Sequence, residues 1–310
     1  MKNLYGYLSV FLVVILLFLP LIPGKSEAVT VNTVPIVSQA PQENFKVKND
    51  NNEIVTLSAK EYVMGVVSAE MPASYHEEAL KAQAVAAYTF ALYRKEENKD
   101  KEYDITTDSS VDQAYASVES CKKKWGDNYD EYHNKIEKAV NSVMGKKITY
   151  NGKTALSVYF SLSGGKTESA KNLWGKDIPY LVPTESVGDM LSPDYLSNLS
   201  LSEKEIIEQI PEIKDVPYKN WFSSPKYSDS GTVLSMTFGE KVIDGKTIRE
   251  KLNLKSANFD VSFENEKFNF TVRGYGHHVG MSQYGANYMA LQGSTFEEIL
   301  NWYYKGCQVS

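Results

Sequence analysis

The spacing of apolar residues changes several times along the chain. Residues 8–19 are almost unbroken apolar sequence, after Lys2 and before Pro20, Pro23 and Gly24. That is the layout of a secretory leader, with Ser26-Glu27-Ala28 as a small-residue cleavage site. Residues 5–22 also approach the length that spans a bilayer. Residues 1–28 are therefore expected to be a signal peptide or an N-terminal membrane anchor. The region 29–310 is then extracytoplasmic, membrane-anchored or secreted. No cysteine directly follows the apolar run, which argues against a lipid anchor. Residues 29–44, polar and carrying Pro35 and Pro41, read as a tether.

A two-residue period follows. Phe45 and Val47 alternate with lysines, residues 49–52 are turn-rich, and Ile54 and Val55 resume the apolar pattern, so a hairpin is expected. The period then lengthens. Tyr62, Val63, Val66 and Val67 form one helical stripe, and Leu80, Ala84, Ala87, Tyr88, Ala91 and Leu92 form another. Ser58 with Glu61, and Ser74 with Glu77, are spaced as capping boxes for the two helix starts. Pro72 stops the first helix at about Met71. The alanines of the second helix allow a close helical pair.

Residues 98–128 are polar and expected to be irregular, and a third helix is expected over 129–144. Strand-like runs occupy 147–150, 155–161, 233–238, 259–263 and 268–273, with Asn151-Gly152 as a hairpin turn between the first two. Residues 200–210 and 295–304 read as helices. The stretch 185–230 has the loosest pattern and is expected to be a peripheral insertion. No repeat is evident. Helices early and strands late predict an α+β fold, with an early helical pair packed on later antiparallel strands in a single catalytic region.

The 310 residues are enough for a core that needs no staples. A formal net charge of −6 gives no footprint for nucleic acid and no pull toward acidic polymers. Any such ligand must be held by local groups. The 21 tyrosines suit amphipathic ligands such as sugars, although most are expected in the core. The two cysteines, Cys121 and Cys307, form no CxxC pair, and their spacing alone does not establish a disulfide.

Three segments carry candidate chemistry. Glu70 lies in the last turn of the first helix, in Gly65-Val66-Val67-Ser68-Ala69-Glu70-Met71-Pro72. The carbonyl end of a helix repels a carboxylate, and apolar neighbours desolvate it; both effects keep it protonated, as a glycosidic general acid requires. A solvated glutamate at a helix end is the plain alternative. The second segment runs from Tyr159 through Ser161-Leu162-Ser163-Gly164-Gly165-Lys166 to Glu168. It can present hydroxyls and bare N–H groups to a polar ligand, or simply turn. The third, from Arg273 to Ala286, holds four glycines with His277, His278, Gln283 and Tyr284. It lacks phosphate-loop spacing, and its adjacent histidines have no evident partner set for a metal. Gln83, on the second helix, is a further candidate to orient Glu70 or a sugar.

Taken together, Tyr62–Pro72, Glu78-Ala79-Leu80-Lys81-Ala82-Gln83-Ala84-Val85-Ala86-Ala87, Ser161-Leu162-Ser163-Gly164-Gly165 and Gly276–Ala286 resemble the signatures of the stage II sporulation protein D family, in family order. The resemblance spans roughly 45–305. It implies a lytic transglycosylase that thins septal peptidoglycan during engulfment, cutting glycan strands between N-acetylmuramic acid and N-acetylglucosamine. Glu70 falls on the family's catalytic glutamate. Gln83, Ser161, Ser163, Gly164, Gly165, Lys166, His277, Gln283 and Tyr284 become the expected glycan-binding residues. The implied partners are glycan strands stripped of peptides, the sporulation amidase that strips them, and a membrane partner; no cofactor is implied.

The chain departs from the family pattern at Tyr88-Thr89-Phe90, where Arg-Thr-Tyr is usual, and at His278, where glycine is usual. Members that resemble zinc proteins have one His and two Cys where this chain has residues near Asp100, and Thr106 and Asp112, so no metal is carried over. Two alternatives stay open: a muramidase that hydrolyses the same bond, and a noncatalytic wall-binding protein that stimulates an amidase.

Overall fold

The computed structural model describes residues 43–213 and 215–310; the leader and nearly all of the tether lie outside them. Strands β1 (Asn44–Lys48) and β2 (Ile54–Ser58) form the expected antiparallel hairpin, which buries Phe45 and Val47. Ser58 then starts helix α1 (Ala59–Glu70). Its hydroxyl accepts the Glu61 N–H at 3.2 Å, and the Glu61 carboxylate accepts the Ser58 N–H at 2.9 Å, so the first capping box forms. Met71 is extended ahead of Pro72, and the helix stops at Glu70.

The second capping box does not form. Helix α2 (Glu77–Glu97) is capped by His76, whose Nδ1 accepts the Glu78 N–H at 3.2 Å. Ser74 lies within a turn closed by the Tyr75 N–H on the Pro72 carbonyl, and the His76 N–H is held by Asn287 at 2.8 Å. A partner 211 residues away thus sets the entry of α2. The two helices pack as expected, with Val63, Val66 and Val67 and the α2 alanines buried in one core.

Strand β3 (Ile105–Thr106) runs parallel to β1. Residues 98–128 are not wholly irregular: they contain α3 (Val118–Trp125), capped by Ser117 and burying only Cys121, too little apolar signal to reveal a helix. Helix α4 (Tyr129–Val143) sits where the third helix was expected. Asn151 and Gly152, both at positive φ, turn β4 (Ile148–Tyr150) into β5 (Lys153–Thr154). The expected strand over 155–161 shrinks to β6 (Tyr159–Phe160). The Leu156 N–H is taken by the Tyr180 hydroxyl at 2.7 Å, and the Ser157 hydroxyl bonds the Ala86 carbonyl at 2.8 Å, so side chains replace a ladder.

After α5 (Ala170–Trp174), strand β7 (Leu196–Ser202) leads into α6 (Glu203–Gln209). Strands β8 (Ser223–Tyr227), β9 (Val233–Phe238) and β10 (Lys241–Ile243) form one antiparallel sheet; α7 (Gly245–Lys251) follows. Strands β11 (Phe259–Glu264) and β12 (Lys267–Arg273) pair with each other and with β7 in a second antiparallel sheet. These sheets enclose their own core of Trp221, Phe222, Phe238, Phe259, Phe268 and Phe270. The loosely patterned 185–230 stretch contributes β7, α6 and β8 to it. The chain returns to the first core through β13 (Met281–Ser282), α8 (Gln283–Leu291), α9 (Phe296–Tyr303) and β14 (Gln308–Val309). The fold is α+β. The late sheets are antiparallel, while β13 pairs with β6 in parallel. No helix among the described residues is long and apolar enough to cross a membrane.

Candidate functional site

Glu70 is held from two sides. The Ala114 N–H donates to its Oε1 at 2.8 Å, and Gln283 Nε2 donates to its Oε2 at 3.4 Å. Gln283 is the first residue of α8, and the same Nε2 reaches the Oε1 of fully buried Gln83 at 3.4 Å. Burial pushes the Glu70 carboxyl above the ordinary carboxylate range, against the pull of the Ala114 N–H and Gln283. Ala114 is fixed in turn by its neighbours. Gln113 Nε2 donates to the Tyr62 hydroxyl at 3.1 Å, its Oε1 accepts from Tyr159 at 2.6 Å, and the Ala116 N–H bonds the Gly65 carbonyl at 3.0 Å.

Two cavities meet at this carboxyl. One, of about 440 Å³, is walled by Tyr75, Lys124, Trp125, Tyr132 and Asp194. The other, of about 750 Å³, is walled by Gln113, Phe160, Trp174, Tyr275 and His277. Ala69, Glu70, Ser161 and Gln283 line both. A partly desolvated carboxyl, with its pKa raised by burial, therefore sits at the junction of two aromatic-walled hollows, where a chain-like ligand can lie across it.

A family model described as Stage II sporulation protein matches residues 47–150, which hold Glu70, Gln83 and Ala114. The chain is 36% identical over 300 residues to stage II sporulation protein D of Bacillus subtilis strain 168, covering 92% of this chain and 86% of that one. It belongs to the stage II sporulation protein D family. The Bacillus amyloliquefaciens member is 35% identical over 298 residues, covering 93% of this chain and 86% of its own. More distant is the amidase enhancer of B. subtilis, 25% identical over 298 residues, covering 78% of this chain and 39% of the enhancer.

The other residues suggested by the family signatures separate into two groups. Ser161, His277 and Gln283 line the cavities at Glu70, and Gln83 reaches that carboxyl only through Gln283. His277 packs against Phe160 and Trp174, and burial, with Arg249 nearby, holds its pKa at about 4, so the imidazole is neutral at neutral pH. Tyr284 stands beside them, its N–H on the Ser161 carbonyl at 3.0 Å and its ring edge-on to Tyr75. Ser163, Gly164, Gly165 and Lys166 line neither cavity. Ser163 is fully buried, and its hydroxyl bonds Asp189. Gly164 opens onto a separate hollow beside Tyr195 and Arg273, Gly165 turns at φ +102, and Lys166 pairs with Glu185 at 3.2 Å.

The departures from the family pattern also have structural outcomes. His278 takes the left-handed conformation at φ +64, a position that favours glycine. Asp112 is buried, pairs with Arg94 and accepts the Thr106 N–H at 2.9 Å, while Asp100 is exposed. Among the described residues no group of three or more His, Cys, Asp and Glu could hold a metal ion. Cys121 and Cys307 are both free and buried, and burial pushes the Cys307 thiol up to about 12.

Sequence reasoning missed the 109–114 loop and the cavity aromatics Trp125, Tyr132 and Trp174. Aromatic residues within otherwise polar stretches were the only signal for them.

Proposed function

We propose that this protein is a lytic transglycosylase that cleaves peptidoglycan glycan strands between N-acetylmuramic acid and N-acetylglucosamine during sporulation. The observation that carries this reading is the Glu70 carboxyl at the junction of the two cavities, with its pKa raised by burial. Protonated Glu70 donates to the bridging oxygen as the bond from the muramic C1 breaks, and positive charge develops on the sugar ring. The sugar's own C6 hydroxyl then closes onto C1 and returns its proton to Glu70. The product is a 1,6-anhydro end and a regenerated acid. Because the nucleophile is tethered, one carboxyl suffices.

Two other carboxylates line the cavities. Asp112 is committed to Arg94 and Thr106. Asp194 has no side-chain partner among the described residues, and it is the group that favours a second reading, in which a base-activated water hydrolyses the same bond. The family membership supports a sporulation setting. The similarity to an amidase enhancer supports action beside an amidase that strips the strands of peptides, at the outer face of the membrane, where the leader would hold the chain.

The test is digestion of peptide-stripped glycan by the full-length chain and by Glu70→Gln, read by mass spectrometry after borohydride treatment. Anhydro ends that resist reduction, absent with the variant, are expected. Reducible ends would replace this mechanism with hydrolysis. Glycan binding without cleavage at any pH would leave a noncatalytic role.

A further inference from the structure

We infer that Asp189 is a positioning residue that holds Gln283 and the Ser161 segment against Glu70. The inference rests on reading Glu70 as the working acid. Asp189 lies in a short 3₁₀ turn, Val187–Leu191, within the stretch whose pattern was loosest, and it is fully buried. Its Oδ2 accepts both the N–H and the hydroxyl of Ser163, at 2.7 and 2.6 Å. Its Oδ1 accepts the hydroxyl of Ser282 at 2.8 Å.

Each partner is next to the site. Ser163 is two residues beyond Ser161, which walls both cavities. Ser282 immediately precedes Gln283, and its oxygen caps α8 by accepting the Gly285 N–H at 3.1 Å. With its proton committed to Asp189, the Ser282 hydroxyl has lone pairs left for that N–H. The first turn of α8 lies so close that a Cβ on Gly285 would collide with the Tyr303 and Ser186 hydroxyls and come within 3.2 Å of Asp189 Oδ1.

The energetics point the same way. Asp189 has no cationic partner among the described residues, and burial pushes its carboxyl above the ordinary range, so this buried group is held by neutral donors alone, a costly arrangement for packing and a good one for fixing geometry. The Gln283–Glu70 contact is already long at 3.4 Å, so a shift of α8 by a fraction of an ångström loses it.

The experiment uses the full-length protein with Asp189→Asn, Ser282→Ala, Gln283→Ala and the Asp189→Asn/Gln283→Ala double variant. Asparagine offers one acceptor oxygen where aspartate offers two, at nearly the same size. The first readout is the pH midpoint for labelling of Glu70 by a carbodiimide with glycinamide, followed by peptide mass spectrometry, which requires no turnover. Losing the Gln283 donor should raise that midpoint in all three single variants. The second readout is glycan cleavage. For Asp189→Asn, kcat should fall about 10- to 100-fold, the scale expected for misplacement at a reacting centre, with KM nearly unchanged. That loss should largely vanish when Gln283 is already alanine.

An unchanged midpoint in Asp189→Asn and Ser282→Ala, or an equal kcat loss with and without Gln283, would overturn the inference. Should Asp189→Asn not fold, Ser282→Ala, which removes a single bond, carries the same two tests. If the wild-type chain cuts no glycan yet the midpoint moves, the positioning stands and the transglycosylase reading falls. If it cuts and the midpoint stays, the reverse holds.

Discussion

The environment of Glu70 follows from the place where its helix stops. Met71, extended ahead of Pro72, ends α1 at Glu70, and the carboxyl is left in partly desolvated space with one amide N–H and one glutamine for company. Replacing it with glutamine removes the acidic proton and changes little else. Cleavage by Glu70→Gln is expected to drop roughly 100- to 10,000-fold with glycan binding retained, measured by single-turnover digestion beside binding isotherms. The same substitution has a stability signature. Burial raises the folded carboxyl's pKa above its unfolded value, so ionisation penalises the native state at and above the folded pKa, and the penalty disappears below the unfolded one. The melting temperature of Glu70→Gln relative to wild type should therefore rise from acid to neutral pH. With Glu70 as the proposed acid, activity should have the opposite dependence, because a proton donor must be protonated. The cleavage rate should fall as pH rises through the raised Glu70 pKa, and Gln283→Ala, which removes a donor that lowers that pKa, should move the falling limb to higher pH while lowering its height. A pH–rate profile of the two proteins checks it.

The elements around the site fix groups that local sequence cannot place. Gly65 illustrates the point: a Cβ there would enter the Tyr115 ring, which stacks on Tyr62, and the Gly65 carbonyl also holds the Ala116 N–H. Gly65→Ala is expected to cost about 1–3 kcal/mol of stability by overpacking and to shift Ala114, lowering cleavage more than the stability loss alone explains. Denaturant melts with activity at a fixed folded fraction separate the two effects. The 105–116 loop is closed by Asp112 on Arg94 and the Thr106 N–H. An ion pair and a hydrogen bond thus tie this loop from protein groups alone, and cleavage is expected to survive chelation. Elemental analysis of protein purified without added metal, with a chelator-treated digest beside it, tests this. One tightly held zinc per chain, with activity lost on chelation and restored by zinc, would refute it. Element prediction worked where the signal was local. Ser58 with Glu61 is a true cap, and Asn151-Gly152 a true hairpin turn. It failed at Ser74, because Asn287 dictates where α2 begins, and at α3, which buries one side chain.

At the scale of the whole molecule, two cores share the work. The first gathers α1, α2, α4, α8 and α9 and surrounds Glu70; the second packs Trp221, Phe222, Phe259, Phe268 and Phe270 between two antiparallel sheets. Phe270 is nearly inaccessible and meets Phe222 and Phe259 edge-on, so Phe270→Ala should cost about 3–5 kcal/mol, seen as an earlier denaturant midpoint. The sequence by itself determined the helical pair, the helix stop beside Glu70, the α+β order and the family, because periodicity, caps, proline and motif strings act over a few residues. It could suggest Ser161, His277 and Gln283 without saying how they meet. Tertiary structure alone decided that the Ala114 N–H and Gln283 clasp the carboxyl and that Ser163 serves Asp189 instead of lining either cavity. The physical reason is distance along the chain: Glu70 and Gln283 are separated by 213 residues, and a hydrogen bond between them depends on the packing of every element that lies between.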